Sequence, residues 1–316
     1  MNRLVGILAA LLALAGCAGR QTEALLAAPD GLPPVAEVAS VPFHPQADKA
    51  CGPASLAMVL AWSGLSTSPD SLSTQVYTPG REGSLAPDMV AAARRQGRLA
   101  VPVHGLRAVL AELAAGHPVV VFQNLGLEMK PLWHFAVAIG YDLPGRRIIL
   151  HSGLDERLPM ALDTFEHTWD RTGRWAMVVL PPDRLPATAG EREVVEAAAG
   201  LERVGLAPAA ARAYQAVLDR WPDSLAAALG LGNARYGMGD PKAAEAAFRT
   251  AARRHPDAAA AWNNWAHVLL ELGRVEEAGR AAERAMSLGG RGGPYAATWE
   301  SVQDARVSAT SPDKAR

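Results

Sequence analysis

The chain reads as an α+β domain followed by an all-α repeat array, and three observations carry that reading. Cys51 stands at the head of an apolar helical run. Four short stretches between residues 119 and 180 switch to strand-like apolar runs and alternation, which a mostly antiparallel sheet accommodates economically. Beyond residue 190 the same residue types return every 34 residues, at Gly205, Gly239 and Gly273 and again at Ala210, Ala244 and Ala278. With 316 residues, 49% hydrophobic and 20% charged, the chain can fill a core in each of two domains. A formal net charge of −1 provides no basic field, so nucleic acid is not an expected partner.

Residues 1–16 read as a signal peptide: a positive start at Met1-Asn2-Arg3, then an apolar segment from Leu4 to Leu14 that is too short for a permanent spanning helix. The segment closes at Leu14-Ala15-Gly16-Cys17, which resembles the bacterial lipobox. That resemblance implies cleavage before Cys17, lipidation of Cys17 and a membrane-anchored mature chain; an ordinary cleaved signal or a leaky anchor is the competing reading. Ala18 and Gly19 follow with no aspartate, which by analogy with lipoprotein sorting implies the outer membrane, the body of the protein facing the periplasm. Lipidation would leave Cys51 as a free thiol and exclude a disulfide between the two cysteines. Residues 17–40, alanine-rich and carrying Pro29, Pro33 and Pro34, read as a membrane tether.

Ser40 to Pro45 leads in extended form to Gln46 and Cys51. Pro53 suits the first helical position, where its missing N–H would have no partner anyway, the apolar run continues to Trp62, and Gly64 ends it. A thiolate at such a helix start gains from the macrodipole and from unpaired backbone N–H groups, so a lowered cysteine pKa is expected. A lone cysteine is otherwise commonly a small buried hydrophobe. The polar stretch from Ser66 to Gly83 reads as surface loop, with a share in a substrate cleft as the sharper alternative. Ser84 can cap a helix reaching Gln96, and a further helix fits Leu106 to Ala115. Strands are expected at Val119–Phe122, Trp133–Tyr141, Arg147–His151 and Arg174–Leu180. On the second of these, His134, Ala136 and Ala138 share the face with the smaller side chains, where a cleft can form.

Gln46, Cys51-Gly52-Pro53 and the stretch Trp133-His134-Phe135-Ala136-Val137-Ala138-Ile139-Gly140-Tyr141-Asp142 resemble the bacteriocin-processing (double-glycine leader) cysteine peptidases, a papain-like family, over residues 41–181. The resemblance implies a papain-like N-terminal domain over residues 41–182, with Cys51 as nucleophile, His134 as base and Gln46 in the oxyanion hole. In that family an aspartate follows the next strand; here the position reads Leu150-His151-Ser152-Gly153. Ser152 is thus the candidate orienting residue and Asp155, three residues on, its possible substitute. Loss of a carboxylate at that place removes orientation and imidazolium stabilisation without abolishing a Cys–His pair. His44, His104, His117, His151 and His167 show no metal-ligand grouping, and no phosphate loop or dinucleotide fingerprint is present, so no cofactor is expected.

Pro181-Pro182 opens a linker over residues 183–190. The period-34 columns also include Tyr214, Phe248 and Ala282, and Pro222 and Pro256. These columns resemble tetratricopeptide repeats, implying three helical pairs over residues 191–292 and an all-α solenoid. Asn263 and Asn264 begin the third repeat and are candidates for a peptide groove; Trp262 and Trp265 beside them suit core packing as well as binding. Residues 293–316 are expected to form a C-terminal tail, polar and disordered after Ser301.

These readings lead to an anchored cysteine peptidase acting on a protein or peptide in the periplasm, its repeats recruiting a protein partner. Two alternatives stand beside it. One is a catalytically weak or inactive peptidase-fold adaptor, and the other a Cys–His enzyme acting on a non-peptide acyl or amide substrate.

Overall fold

In the computed structural model the described residues are 19–45, 50–78, 80, 83–290 and 293–310. The lipobox with Cys17, and Gln46, lie outside them. The chain divides into two compact units, one ending at Ala197 and one starting at Ala198. Among the described residues no helix is long and apolar enough to cross a membrane.

The first unit is built on an antiparallel sheet of seven strands: β1 (Val35–Glu37), β4 (Leu99–Pro102), β5 (Val119–Asn124), β6 (Trp133–Asp142), β7 (Arg147–Ser152), β8 (Asp155–Ala161) and β9 (Ala176–Leu180). The order is β4-β9-β5-β6-β7-β8, and β1 pairs with the far end of β6. Val119 to Val121 and Met177 to Leu180 are fully buried, which is why these strands read as unbroken apolar runs instead of alternating ones. Helix α2 (Cys51–Trp62) is apolar all round and buries every residue from Gly52 to Leu60 against β6, β5 and β9.

Several elements differ from the sequence expectation. The stretch from Ser66 to Gly83 is not plain loop: Ser68 Oγ accepts from the Ser71 N–H at 3.2 Å and caps helix α3 (Pro69–Val76), which buries Leu72 and Val76. A small hairpin follows, β2 (Tyr77–Thr78) with β3 (Gly83–Ser84). Ser84 therefore lies in a strand, and helix α4 (Ala86–Arg95) starts after Leu85 without a side-chain cap. Strands β4 and β8 went unread because β4 is only four residues and β8 carries the polar run Asp155-Glu156-Arg157.

The expected tether is woven into this unit. Helix α1 (Arg20–Ala27) buries Thr22 and Leu25. Its first turn is held by helix α6 (Leu162–Asp170): the Gly19 N–H donates to Asp163 Oδ1 at 2.9 Å, and the Gln21 and Thr22 N–H groups donate to Glu166 at 2.8 and 2.7 Å. Carboxylates at a helix start satisfy N–H groups that have no intrahelical partner. Farther on, Tyr141 Oη donates to the Pro33 carbonyl and β1 pairs with β6. The prolines end α1 without freeing the chain.

The linker is fixed as well. Glu112, fully buried on α5 (Leu106–Ala114), accepts from the Ala187 N–H, the Thr188 N–H and hydroxyl, and His117 Nδ1 at 2.6 to 3.1 Å. These bonds hold its carboxyl below the usual range in spite of burial, which alone would raise it.

Helix α7 (Glu191–Arg203) runs across the boundary, and the second unit stacks α8 (Ala207–Arg220) on α9 (Leu225–Gly237), α9 on α10 (Pro241–Arg254), α10 on α11 (Ala259–Glu271) and α11 on α12 (Val275–Gly289). Two rings of the aromatic column sit on glycines of α9, Tyr214 from the helix before it and Phe248 from the helix after it. An added Cβ at Gly230 would stand 2.3 Å from the Tyr214 ring, and one at Gly232 2.3 Å from Phe248. The expected tail is instead a helix, α13 (Ala296–Thr310), whose Val302 is fully buried in one cluster with Ala266, Leu269 and Ala282, with Trp299 packed alongside. Trp299 and Val302, three residues apart, make the stripe that closes the open side of the last repeat.

Candidate active site

Cys51 is the first residue of α2, and its thiol is free. The backbone N–H groups of Phe135, Gly52 and Cys51 itself lie near enough to the sulfur to favour its thiolate form. The Phe135 contact sets the sulfur beside the start of β6, next to His134. The helix start can come this close because residue 52 is glycine: a Cβ there would stand 2.2 Å from Ser84 Oγ on β3.

His134 faces β7. Its Nε2 lies 2.9 Å from Ser152 Oγ, and Ser152 is 7% exposed. Ser152 ends β7 beside an irregularity in the β7–β8 register between Leu150 and Ser152, and β6 carries its own bulge between Ala138 and Gly140. Such irregularities re-aim side chains near sites and leave no trace in sequence spacing. With Nε2 engaged by Ser152, Nδ1 is the nitrogen left to accept a proton from a donor such as a thiol.

Asp155, the possible substitute, is exposed at the start of β8. His151 is buried between two carbonyls, Nε2 at 3.1 Å from Val41 O and Nδ1 against Glu156 O, which ties the approach to Cys51 onto the β7–β8 hairpin. Sequence spacing did not single out Gln123. It stands opposite His134 in the β5–β6 register, is fully buried, and donates from Nε2 to Thr168 Oγ1 at 2.7 Å.

The electrostatics correct one expectation. Burial pushes the Cys51 thiol up from its ordinary value, and the three N–H donors that favour the thiolate only partly offset it. Burial likewise holds His134 below the ordinary histidine value. Both directions favour the neutral forms, thiol and imidazole, over a thiolate–imidazolium pair.

In the second unit, Asn263 donates from Nδ2 to Asn264 Oδ1 at 3.3 Å, and its own Oδ1 is buried without a partner. Trp265 Nε1 donates to Glu245 at 2.9 Å, and Trp262 Nε1 to the Pro256 carbonyl at 3.1 Å. Both indoles line a pocket of about 210 Å³ with Arg253, Glu277, Arg280 and Ala281.

Residues 38–177 match the family described as Peptidase_C39 like family, and residues 196–237 and 229–296 match the tetratricopeptide repeat. Among curated proteins none matches the chain. The solved structures similar to it include a candidate C39-like peptidase from Bacillus anthracis, 20% identical, covering 46% of this chain and 97% of that one at a TM-score of 0.41. Another is the type III secretion chaperone SycD of Yersinia enterocolitica in complex with a peptide of the translocator YopD, 18% identical, covering 38% and 98% at 0.35. The tetratricopeptide domain of Sgt2 from Aspergillus fumigatus is 16% identical and covers 38% and 80% at 0.36. The chain thus joins a Peptidase_C39-like domain to a run of tetratricopeptide repeats.

Proposed function

We propose that the protein is a membrane-anchored cysteine peptidase, with Cys51, His134 and Ser152 as its working residues. The observation that carries this reading is the His134–Ser152 contact, which leaves Nδ1 available on the strand whose next N–H touches the Cys51 sulfur. In the proposed reaction Nδ1 takes the thiol proton as Sγ attacks the scissile carbonyl carbon. Ser152 Oγ accepts from Nε2–H and steadies the imidazolium, and the Cys51 N–H stabilises the developing oxyanion, a role the family resemblance gives also to Gln46, outside the described residues. His134 returns the proton to the leaving amine, and water then hydrolyses the thioester to release the acid and regenerate the thiol.

The anchor in this proposal is lipidated Cys17 in the outer membrane, the body of the protein faces the periplasm, and the repeats recruit a protein partner, with Asn263 and Asn264 as candidate contacts. The test is the iodoacetamide alkylation rate of Cys51 against pH in a chain lacking Cys17, beside peptide hydrolysis by the Cys51→Ala form. Alkylation near pH 7 should fall about tenfold or more in His134→Ala, and Cys51→Ala should abolish hydrolysis. Hydrolysis that survives Cys51→Ala overturns the proposal.

A second reading, a peptide-binding adaptor, is favoured by the serine in the acid's place and by the raised thiol. It expects alkylation unchanged by His134→Ala and peptide binding retained in Cys51→Ala.

A further inference from the structure

The sheet end that carries Cys51, His134 and Ser152 also carries large apolar side chains with no cover. The β5–β6 connection presents Leu127 at 66%, Met129 at 94%, Leu132 at 61% and Trp133 at 53% exposure. The neighbouring β7–β8 turn adds Leu154 at 78%. Because β6 begins where β7 ends, the two tips stand side by side.

The larger tip is a built structure. Asn124, 2% exposed, accepts through Oδ1 from the Gly126 and Leu132 N–H groups at 3.0 and 2.9 Å. Leu125 N–H donates to the Leu132 carbonyl at 2.9 Å, and Arg171 donates to the Gly126 carbonyl at 2.6 Å. So much bonding devoted to holding apolar side chains in water marks an interaction surface.

The degree of exposure identifies the partner. A subsite for a peptide side chain is concave, and its walls shield one another. These residues project with more than half of their surface free, a shape that a fluid lipid–water interface accepts without a matching pocket. Trp133 at the base of the tip, stacked on Phe122 at 5.7 Å, and Lys130 beside Met129 are residue types that settle at that interface.

The path of the N-terminus points the same way. The apolar segment Leu4 to Leu14 and Cys17 lead into Gly19, which is bonded to Asp163 at the start of α6. Arg171, just past the other end of α6, holds the Gly126 carbonyl. Nine residues of helix span about 14 Å, so Gly19 and the apolar tip are joined by one short rigid element.

We propose that the Leu127–Trp133 and Leu154 tips dip into a bilayer surface and hold the Cys51–His134 end of the sheet against it, so that the site receives peptide segments presented at the membrane. The lipid contact rests on the membrane reading of the N-terminus and not on the catalytic one.

The experiment is co-sedimentation of residues 19–316, which hold every described element and no acyl group, with phosphatidylethanolamine–phosphatidylglycerol vesicles. The expected result is partition onto vesicles that falls at least about fivefold in Leu127→Ser/Met129→Ser with circular dichroism unchanged, and that is untouched by Cys51→Ala. A chain that stays in the supernatant, or binds equally with and without the double substitution, overturns the proposal. Vesicle binding unchanged while cleavage of a soluble peptide drops would make the tips a peptide subsite and overturn it as well.

Discussion

At the scale of single residues, the site is set by what burial does to two titratable groups. His134 and His151 are both held below the ordinary histidine value by desolvation. A histidine with a lowered folded-state pKa contributes stability that is present above its unfolded value, about 6.5, and is lost as pH falls through the folded one. The midpoint of thermal unfolding should therefore drop between pH 7 and pH 5, and His134→Gln should shrink the drop. Cys51 has the opposite sign: its raised pKa makes the folded state lose stability as pH rises past the unfolded thiol value of about 8.5. Ser152→Asp would set a carboxylate near His134 Nε2 and should raise the His134 pKa by about one to three units, read by an NMR titration of the ring. An unmoved titration would mean that the Ser152 contact does not orient His134 in solution. Residue type and neighbours single out Cys51 and His134 in the sequence, and the fold brings the two to one end of the sheet. The direction of the thiol's shift was not, since a helix start alone favours the thiolate and only the folded surroundings show that burial outweighs it.

Among elements, legibility followed the length and regularity of the apolar pattern. The nucleophile helix, β5, β6, β7 and the paired repeat helices were readable because each carries a long run or a repeated column. The docking of α1 was hidden because its partners, Asp163 and Glu166, lie more than 140 residues away in sequence. The capping helix was hidden because its buried stripe is two residues wide. The linker anchored by Glu112 gives an element-scale test. Glu112→Ala strips acceptors from His117, Ala187 and Thr188 and should cost about 3 to 5 kcal/mol in urea unfolding, with faster proteolysis within residues 183–190. In the repeats, Gly232→Ala drives a methyl group into the Phe248 ring and should cost about 1 to 3 kcal/mol, whereas the period in the sequence shows only that the column is small.

For the whole molecule, two compact units with separate cores predict two calorimetric transitions. Gly232→Ala should lower one and Glu112→Ala the other; a single transition shifted by both substitutions would mean that the units unfold as one. Under the proposed anchoring, the α1 contacts also set a working radius for the first unit. With Gly19 clamped to Asp163, an anchor at Cys17 leaves a leash of two residues, about 7 Å at full stretch. A leash that short does not let the first unit sweep the surrounding volume for substrates. In that proposal it would confine encounters to what diffuses laterally along the anchoring surface, a two-dimensional search in which local crowding, and not bulk concentration, would set the rate of supply.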